Sequence, residues 1–308
     1  MRIWNPDHVY FVTNRCEQER LFFLPRPEVN KLIGTWLAKS LKEHGDGIEM
    51  YAFIFLSNHF HFLLRDTKGQ LPEFMWYFQL NLAKAVNRKL GRRGHFFARE
   101  YDAAPVLTDE DFENRYAYVV TNAVKAGLLA RARSGPFFSS LEMALEDRVL
   151  EFEWVDWTLL HNLTRRGRRV AKWEVTRVYR LALSVPSLWR GWSAARRRRR
   201  VEGLVAANEA RYGRERRAEG KGFLGARRIM SQSPLMRPRN PSFSRRVRVF
   251  CRNEDLRNAF LEAARALRGL YLEALDGFRK AAQKGRRPLV EWPPWTYPPS
   301  TWAPVPAR

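Results

Sequence analysis

Cysteine is nearly absent. The 308 residues hold two, Cys16 and Cys251, far apart in the chain, which excludes both a disulfide scaffold and a cysteine-rich zinc module. So little thiol fits a reducing cytoplasm, the expected location. Long apolar runs are missing as well: no stretch approaches the roughly 20 residues of a membrane helix. The opening MRIWNPDHVY carries Asp7 and no apolar signal core, so a protein neither secreted nor membrane-bound is expected. No internal repeat is visible. Acidic side chains are scarce too, with 32 Asp and Glu against 55 Lys and Arg, a net charge of +23.

What is present is unevenly spread. Residues 1–150 carry 20 basic and 18 acidic side chains, whereas residues 151–308 carry 35 and 14, and 31 of those 35 are arginine. The first half is electrically ordinary and the second polycationic. A hydrophobic fraction of 45% with 11 Trp, 10 Tyr and 20 Phe supplies a core and excludes a wholly disordered chain. So large a cation surplus points to nucleic acid, because each lysine or arginine seated on a phosphate releases condensed counterions. A merely basic surface is the plainer alternative.

Patterning along the first half predicts seven elements. Val9 to Thr13 is a β-branched and aromatic strand, and apolar residues at Val29, Leu32, Ile33, Trp36, Leu37 and Leu41 mark a helix from Glu28 to His44, stopped by Gly45. Ile48 to Leu56 and His59 to Arg65 form a hairpin turning at Ser57 and Asn58. Phe74, Met75, Phe78, Leu82, Ala85, Val86 and Leu90 define a second helix, and His95 to Leu107 an irregular fourth strand. Thr108 caps a third helix, with an acidic first turn, running to about Val124. The order βαββαβα predicts an α+β, ferredoxin-like domain over residues 1–135, an antiparallel sheet with helices on one side. Residues 136–285 are expected to form a largely helical, Arg- and Trp-rich extension, with a helix over 254–283, and 286–308 an extended tail holding seven of the 17 prolines.

His59 and His61 lie two apart in a strand, so they share one face while Phe60, Phe62 and Leu64 share the other. Alone, such a pair reads first as a polar strand face opposite an apolar one. In the third helix Tyr118 and Asn122 stand four apart and project together, presenting a hydroxyl beside an oxygen ligand, although Tyr118 alone reads equally as a core tyrosine. Tyr116 is the rival hydroxyl, about 200° away around the helix.

Four segments together, YFVTNR (Tyr10 to Arg15), SNHFHFLL (Ser57 to Leu64), NLAKAVNRKLGRRGHFF (Asn81 to Phe97) and YVVTNAVKAGL (Tyr118 to Leu128), resemble the REP-associated tyrosine transposase branch of the HUH single-tyrosine transposases. The likeness spans residues 8 to about 135. It implies His59, His61 and Asn122 as ligands of a divalent metal, Mg2+ or Mn2+, and Tyr118 as the nucleophile of DNA cleavage and strand transfer through a 5′-phosphotyrosine. Imidazoles intrinsically favour zinc or other transition ions, so the choice of Mg2+ or Mn2+ comes from the resemblance. The family reads NPVRAGL where this chain has Ala123 and Lys125, departures expected to touch no reacting group. No general base stands out; Glu100 and His95 are open candidates. Charge and family position suggest DNA contacts at Arg15, Lys84, Arg88, Arg92, Arg93 and Arg99, and the run Arg196 to Arg200 reads either as DNA-binding or as a solvated helix face. The implied partner is single-stranded or hairpin DNA, bound by a monomer or homodimer; a non-catalytic nucleic-acid binder and a water-using phosphodiesterase remain alternatives.

Overall fold

In a computed structural model of the chain, residues 3–238, 247–283 and 290–297 are described. The first half runs β1 (Val9–Arg15), α1 (Pro27–His44), β2 (Ile48–Leu56), β3 (His59–Asp66), α2 (Leu71–Lys89), β4 (Asp102–Val106) and α3 (Asp109–Val120). The sheet order is β2-β3-β1-β4 with every pairing antiparallel, the ferredoxin-like arrangement.

Alternation along the central strands decides what covers the sheet. Tyr10 and Val12 of β1, Phe53 and Phe55 of β2, and Phe60, Phe62 and Leu64 of β3 enter one core with Ile33 and Leu37 of α1 and Phe74 and Phe78 of α2. Phe11, Ile54, Leu56 and Leu63 point the other way and meet Phe112, Val119 and Val120 of α3. The expectation of helices on one side therefore holds for α1 and α2 only. Strands apolar on both faces need cover on both, and α3 supplies the second layer.

Two local departures also have physical causes. The fourth strand shrinks to Asp102–Val106, and the segment before it keeps only an isolated bridge, Phe97 to Cys16, beside a side-chain bond from Asn14 to the Arg99 carbonyl. The third helix stops at Val120 and a separate turn, α4 (Asn122–Lys125), follows. Between them the buried Thr121 hydroxyl donates back to the Ala117 carbonyl at 2.5 Å and accepts from Asn208 at 3.0 Å, and such back-bonding by a β-branched residue bends a helix.

Downstream come α5 (Leu141–Glu146), β5 (Leu150–Val155), α6 (Trp157–Arg165), β6 (Thr176–Leu181), α7 (Ala194–Ala218), α8 (Ala226–Met230) and α9 (Glu254–Gln283). The antiparallel β5–β6 hairpin was not anticipated in a mainly helical extension; Leu150, Phe152 and Trp154 alternate with Glu151 and Glu153 and pack towards α1. Gly34 of α1 makes this possible, since a Cβ there would lie 2.2 Å from the Phe152 ring. Residues beyond 135 also join both cores, Met143, Tyr179 and Leu181 one and Trp189, Val201 and Ile229 the other. The Arg196–Arg200 run opens α7, capped by Ser193, and much of it is engaged internally: Arg200 pairs with Glu113, Arg198 with Glu202, and Arg197 bonds the Trp192 carbonyl.

Both sheet edges are partly covered by later segments. Ser139 and its neighbours bond β2, and Phe250 forms a parallel bridge to Val106, its N–H donating to the Pro105 carbonyl at 2.8 Å. Of the 286–308 tail, residues 290–297 hold no helix, and the rest lies outside the described residues. Among the described residues no helix is long and apolar enough to cross a membrane.

Asp66 joins these parts. It is fully buried, and its carboxylate accepts from the backbone N–H groups of Lys68, Gln70 and Leu71 at 3.2, 2.9 and 2.9 Å and from the Tyr297 hydroxyl at 3.0 Å. Asp66→Ala leaves the first turn of α2 without its acceptors and is expected to cost about 2–4 kcal/mol in thermal or denaturant unfolding; a loss below 0.5 kcal/mol would show that water replaces the carboxylate.

Candidate active site

The pleat that buries Phe60 and Phe62 turns His59 and His61 towards α3. Their rings lie 4.8 Å apart, His61 nearly buried and His59 half-buried. His59 Nδ1 donates to the Asn58 side-chain oxygen at 2.7 Å, which leaves Nε2 with its lone pair. Asn122 stands close enough to His59 and Tyr118 to act on the titration of both. Both ring nitrogens of His61, by contrast, are buried without a partner among the described residues.

Electrostatics keep the imidazoles neutral. Burial, then the nearby Arg15 guanidinium, brings the His59 pKa down to about 4 against a raising bond from Asn122. Burial holds His61 well below the ordinary imidazole range, helped by His59, Arg15, Lys125 and Arg115. A neutral imidazole with unused lone pairs is the form that ligates a cation, and two unpaired buried nitrogens are otherwise costly. The donor set His59, His61 and Asn122 therefore fits a divalent ion. Among the described residues no three His, Cys, Asp or Glu side chains converge, so the protein would supply two imidazoles and an amide.

Tyr118 faces this pair, its ring centroid 5.4 Å from that of His61 and 5.7 Å from that of Phe11. Burial raises the pKa of its hydroxyl, opposed by the Asn122 bond and by the charges of Arg115 and Arg15. Tyr116 points into the core, 4.9 Å from Trp189 and only 2% exposed. The α3 kink does not carry Asn122 away from Tyr118, because α4 restarts at once and its first residue still acts on the titration of the hydroxyl.

A cleft of about 280 Å3 opens beside Tyr118 and His61. Arg15, Arg99, Arg115 and Lys125 line it against a single carboxylate, Asp102, and Phe11 and Phe250 form an apolar wall. Of the residues expected to touch DNA, Arg15 and Arg99 are here, paired with Glu19 and Asp102, each at 2.6 Å. Lys84 and Arg88 are exposed on α2, in the layer across the sheet. Arg92 serves the fold, stacking 4.0 Å from the Phe22 ring and bonding the Asn87 side chain and the His95 carbonyl, while Arg93 is exposed in the following loop. His95 and Glu100 are exposed and do not line the cleft.

Sequence reasoning missed Arg115, Lys125, Asp102 and Phe250. Lys125 was expected to touch no reacting group, yet its Nζ lies 4.5 Å from the Tyr118 ring, and the Arg115 guanidinium lies 5.0 Å from it. Their spacing was a usable signal, for Arg115 precedes Tyr118 by three positions and shares its helix face. Phe250 had no local signal, since only the bridge to β4 brings it here.

No known family profile matches the chain, and no characterised protein matches it by sequence. Among solved structures, it is similar to that of a REP-associated tyrosine transposase bound to a REP hairpin, at 14% identity and a TM-score of 0.42, over 47% of this chain and 84% of that one. It is also similar to a candidate transposase from Deinococcus radiodurans R1, at 15% identity and a TM-score of 0.28, over 37% of this chain and 88% of that one.

An imidazole kept unpaired in the interior should weaken the metal-free protein. His61→Leu is expected to raise stability in chelator-treated buffer by about 1–2 kcal/mol, read as an upward shift of the thermal midpoint. A fall of the midpoint would mean that the ring is held by packing rather than reserved for a ligand.

Proposed function

We propose that the chain is a metal-dependent endonuclease and strand transferase for single-stranded or hairpin DNA, acting through a covalent 5′-phosphotyrosine at Tyr118. The observation carrying this reading is that a tyrosine hydroxyl and an unpaired neutral imidazole share one cation-lined cleft.

The chemistry follows from the residues at hand. The Tyr118 oxygen attacks the scissile phosphorus, the new O–P bond forming as the bond to the 3′-oxygen breaks, so that the strand leaves with a free 3′-hydroxyl. The phosphotyrosine ester conserves the bond energy, and attack by a 3′-hydroxyl reverses the step and rejoins DNA. Burial holds the phenol protonated at rest, while Asn122, Arg115 and Arg15 favour its ionised form. A divalent cation on His59, His61 and Asn122 would polarise the phosphodiester and neutralise developing charge. The cations of the cleft seat the strand, and the arginine-rich second half provides the wider grip on DNA. Hairpin DNA as substrate comes from the resemblance of the four sequence segments.

A labelled oligonucleotide carrying palindromes from beside the gene tests the nucleophile. Wild type and Tyr116→Phe are expected to form a covalent adduct stable to denaturant, and Tyr118→Phe none; an adduct surviving Tyr118→Phe sinks the assignment. Cleavage without an adduct would indicate a water-using phosphodiesterase, and binding without cleavage a non-catalytic DNA or RNA binder. The metal has a readout separate from activity. Mn2+ at a hundredfold excess over its Kd should stabilise the wild type by about 2.7 kcal/mol in thermal unfolding. His59→Ala and His61→Ala should lose that shift and cleavage together, yet keep hairpin affinity within about threefold, because phosphate contacts elsewhere dominate binding.

A further inference from the structure

Arg115 and Lys125 approach Tyr118 from α3 and α4, one on each side of the kink at Thr121. Both line the cleft that holds His61. Arg15 and Arg99 in the same cleft spend charge on Glu19 and Asp102. Arg115 and Lys125 differ: among the described residues neither has a carboxylate within ion-pair distance or a hydrogen-bond partner. Arg115 is nevertheless half-buried, its guanidinium 4.6 Å from the Phe250 ring and 5.0 Å from that of Tyr118. A partly desolvated guanidinium that lies against two aromatic rings, with Asp111 near but beyond ion-pair distance, retains N–H donors in a plane suited to two phosphate oxygens.

We propose that Arg115 and Lys125 form a two-cation clamp holding the phosphodiester beside the Tyr118 hydroxyl, with Phe250 walling the same pocket. That the anion is the scissile phosphate rests on the reading of Tyr118 given above; that an isolated phosphodiester binds between these cations does not. Arg115 presents the flat, two-point contact and Lys125, exposed and on a flexible stem, a movable point charge. The pair occupies different elements, so the bend at Thr121 sets their separation.

The test uses the full chain and thymidylyl-(3′,5′)-thymidine, which has one phosphodiester and is too short to reach far along the arginine-rich half. Affinity is read by ligand-observed NMR titration, with thermal midpoints recorded for every variant. Arg115→Gln and Lys125→Gln are each expected to weaken binding about tenfold, and the double variant about a hundredfold. Lys125→Arg keeps the charge and should stay within about threefold of wild type, whereas Arg115→Lys keeps the charge but loses the two-point contact and should fall between wild type and Arg115→Gln; a packing role would leave the lysine variant no better than the glutamine one, and the two variants cover the case of a glutamine variant that fails to fold. Lys31→Gln/Lys42→Gln removes the same charge from exposed positions on α1, across the sheet, and should leave affinity unchanged. The clamp is overturned if wild type does not bind the dinucleotide, if the glutamine variants bind as wild type does, or if the α1 control loses as much. The adduct assay runs in parallel. Clamp-dependent binding in a protein that forms no adduct removes the Tyr118 reading alone, and an adduct with binding unmoved by the glutamine variants removes the clamp alone.

Discussion

The site depends on the pleat of β3. Its side chains alternate strictly, so burying Phe60, Phe62 and Leu64 against α1 and α2 leaves His59 and His61 no choice but the other face. A slip of one residue would drive two imidazoles into a phenylalanine core and expose two rings to the cleft. The aromatic stack thus acts as a register lock. Phe60 and Phe62 stack at 4.5 Å, Phe55 and Phe78 close around them, and β1 and β2 flank the strand on both sides. Large apolar residues one layer away hold the polar ones in place.

The opposite face is built differently. α3 rests on the sheet through Phe112, Val119 and Val120, which leaves Tyr118 over His61, and is itself backed by Val201 and Val205 of α7 and by Trp189 in the turn before it. The Arg200–Glu113 pair and the bond from Asn208 to Thr121 tie the two helices at separate points. Part of the cationic second half is therefore scaffold. Arg200 and Arg252 pair with Glu113 and Glu110 of the first half while staying partly open to solvent.

Much of this was legible in sequence, for identifiable reasons. β1, β2, β3, α1 and α2 carry strong periodicity, and each bounds a core that rewards it. The histidine pair and the Tyr118–Asn122 spacing were readable because strand and helix geometry act locally. The break at Thr121 was not, since its cause is a hydroxyl bonded to Ala117 and Asn208, the latter 87 residues away. The β5–β6 hairpin was overlooked although LEFEWV alternates cleanly, because the surrounding Arg and Trp masked the period and its partner strand lies beyond α6. Arg115 and Lys125 were missed as charges without context: a cation on a helix face acquires meaning only when the facing wall is known.

Phe250 has a bearing on when the protein becomes competent. It supplies one wall of the cleft and the parallel bridge along β4, yet it follows β4 by more than 140 positions. A ribosome delivers the sheet, the histidine strand and Tyr118 well before it delivers this residue. The wall can be completed only once the chain is made past Arg252, whose N–H anchors the segment to Asp111. Closure of the cleft is thereby tied to synthesis of most of the polypeptide, although the residues it encloses are made in the first half.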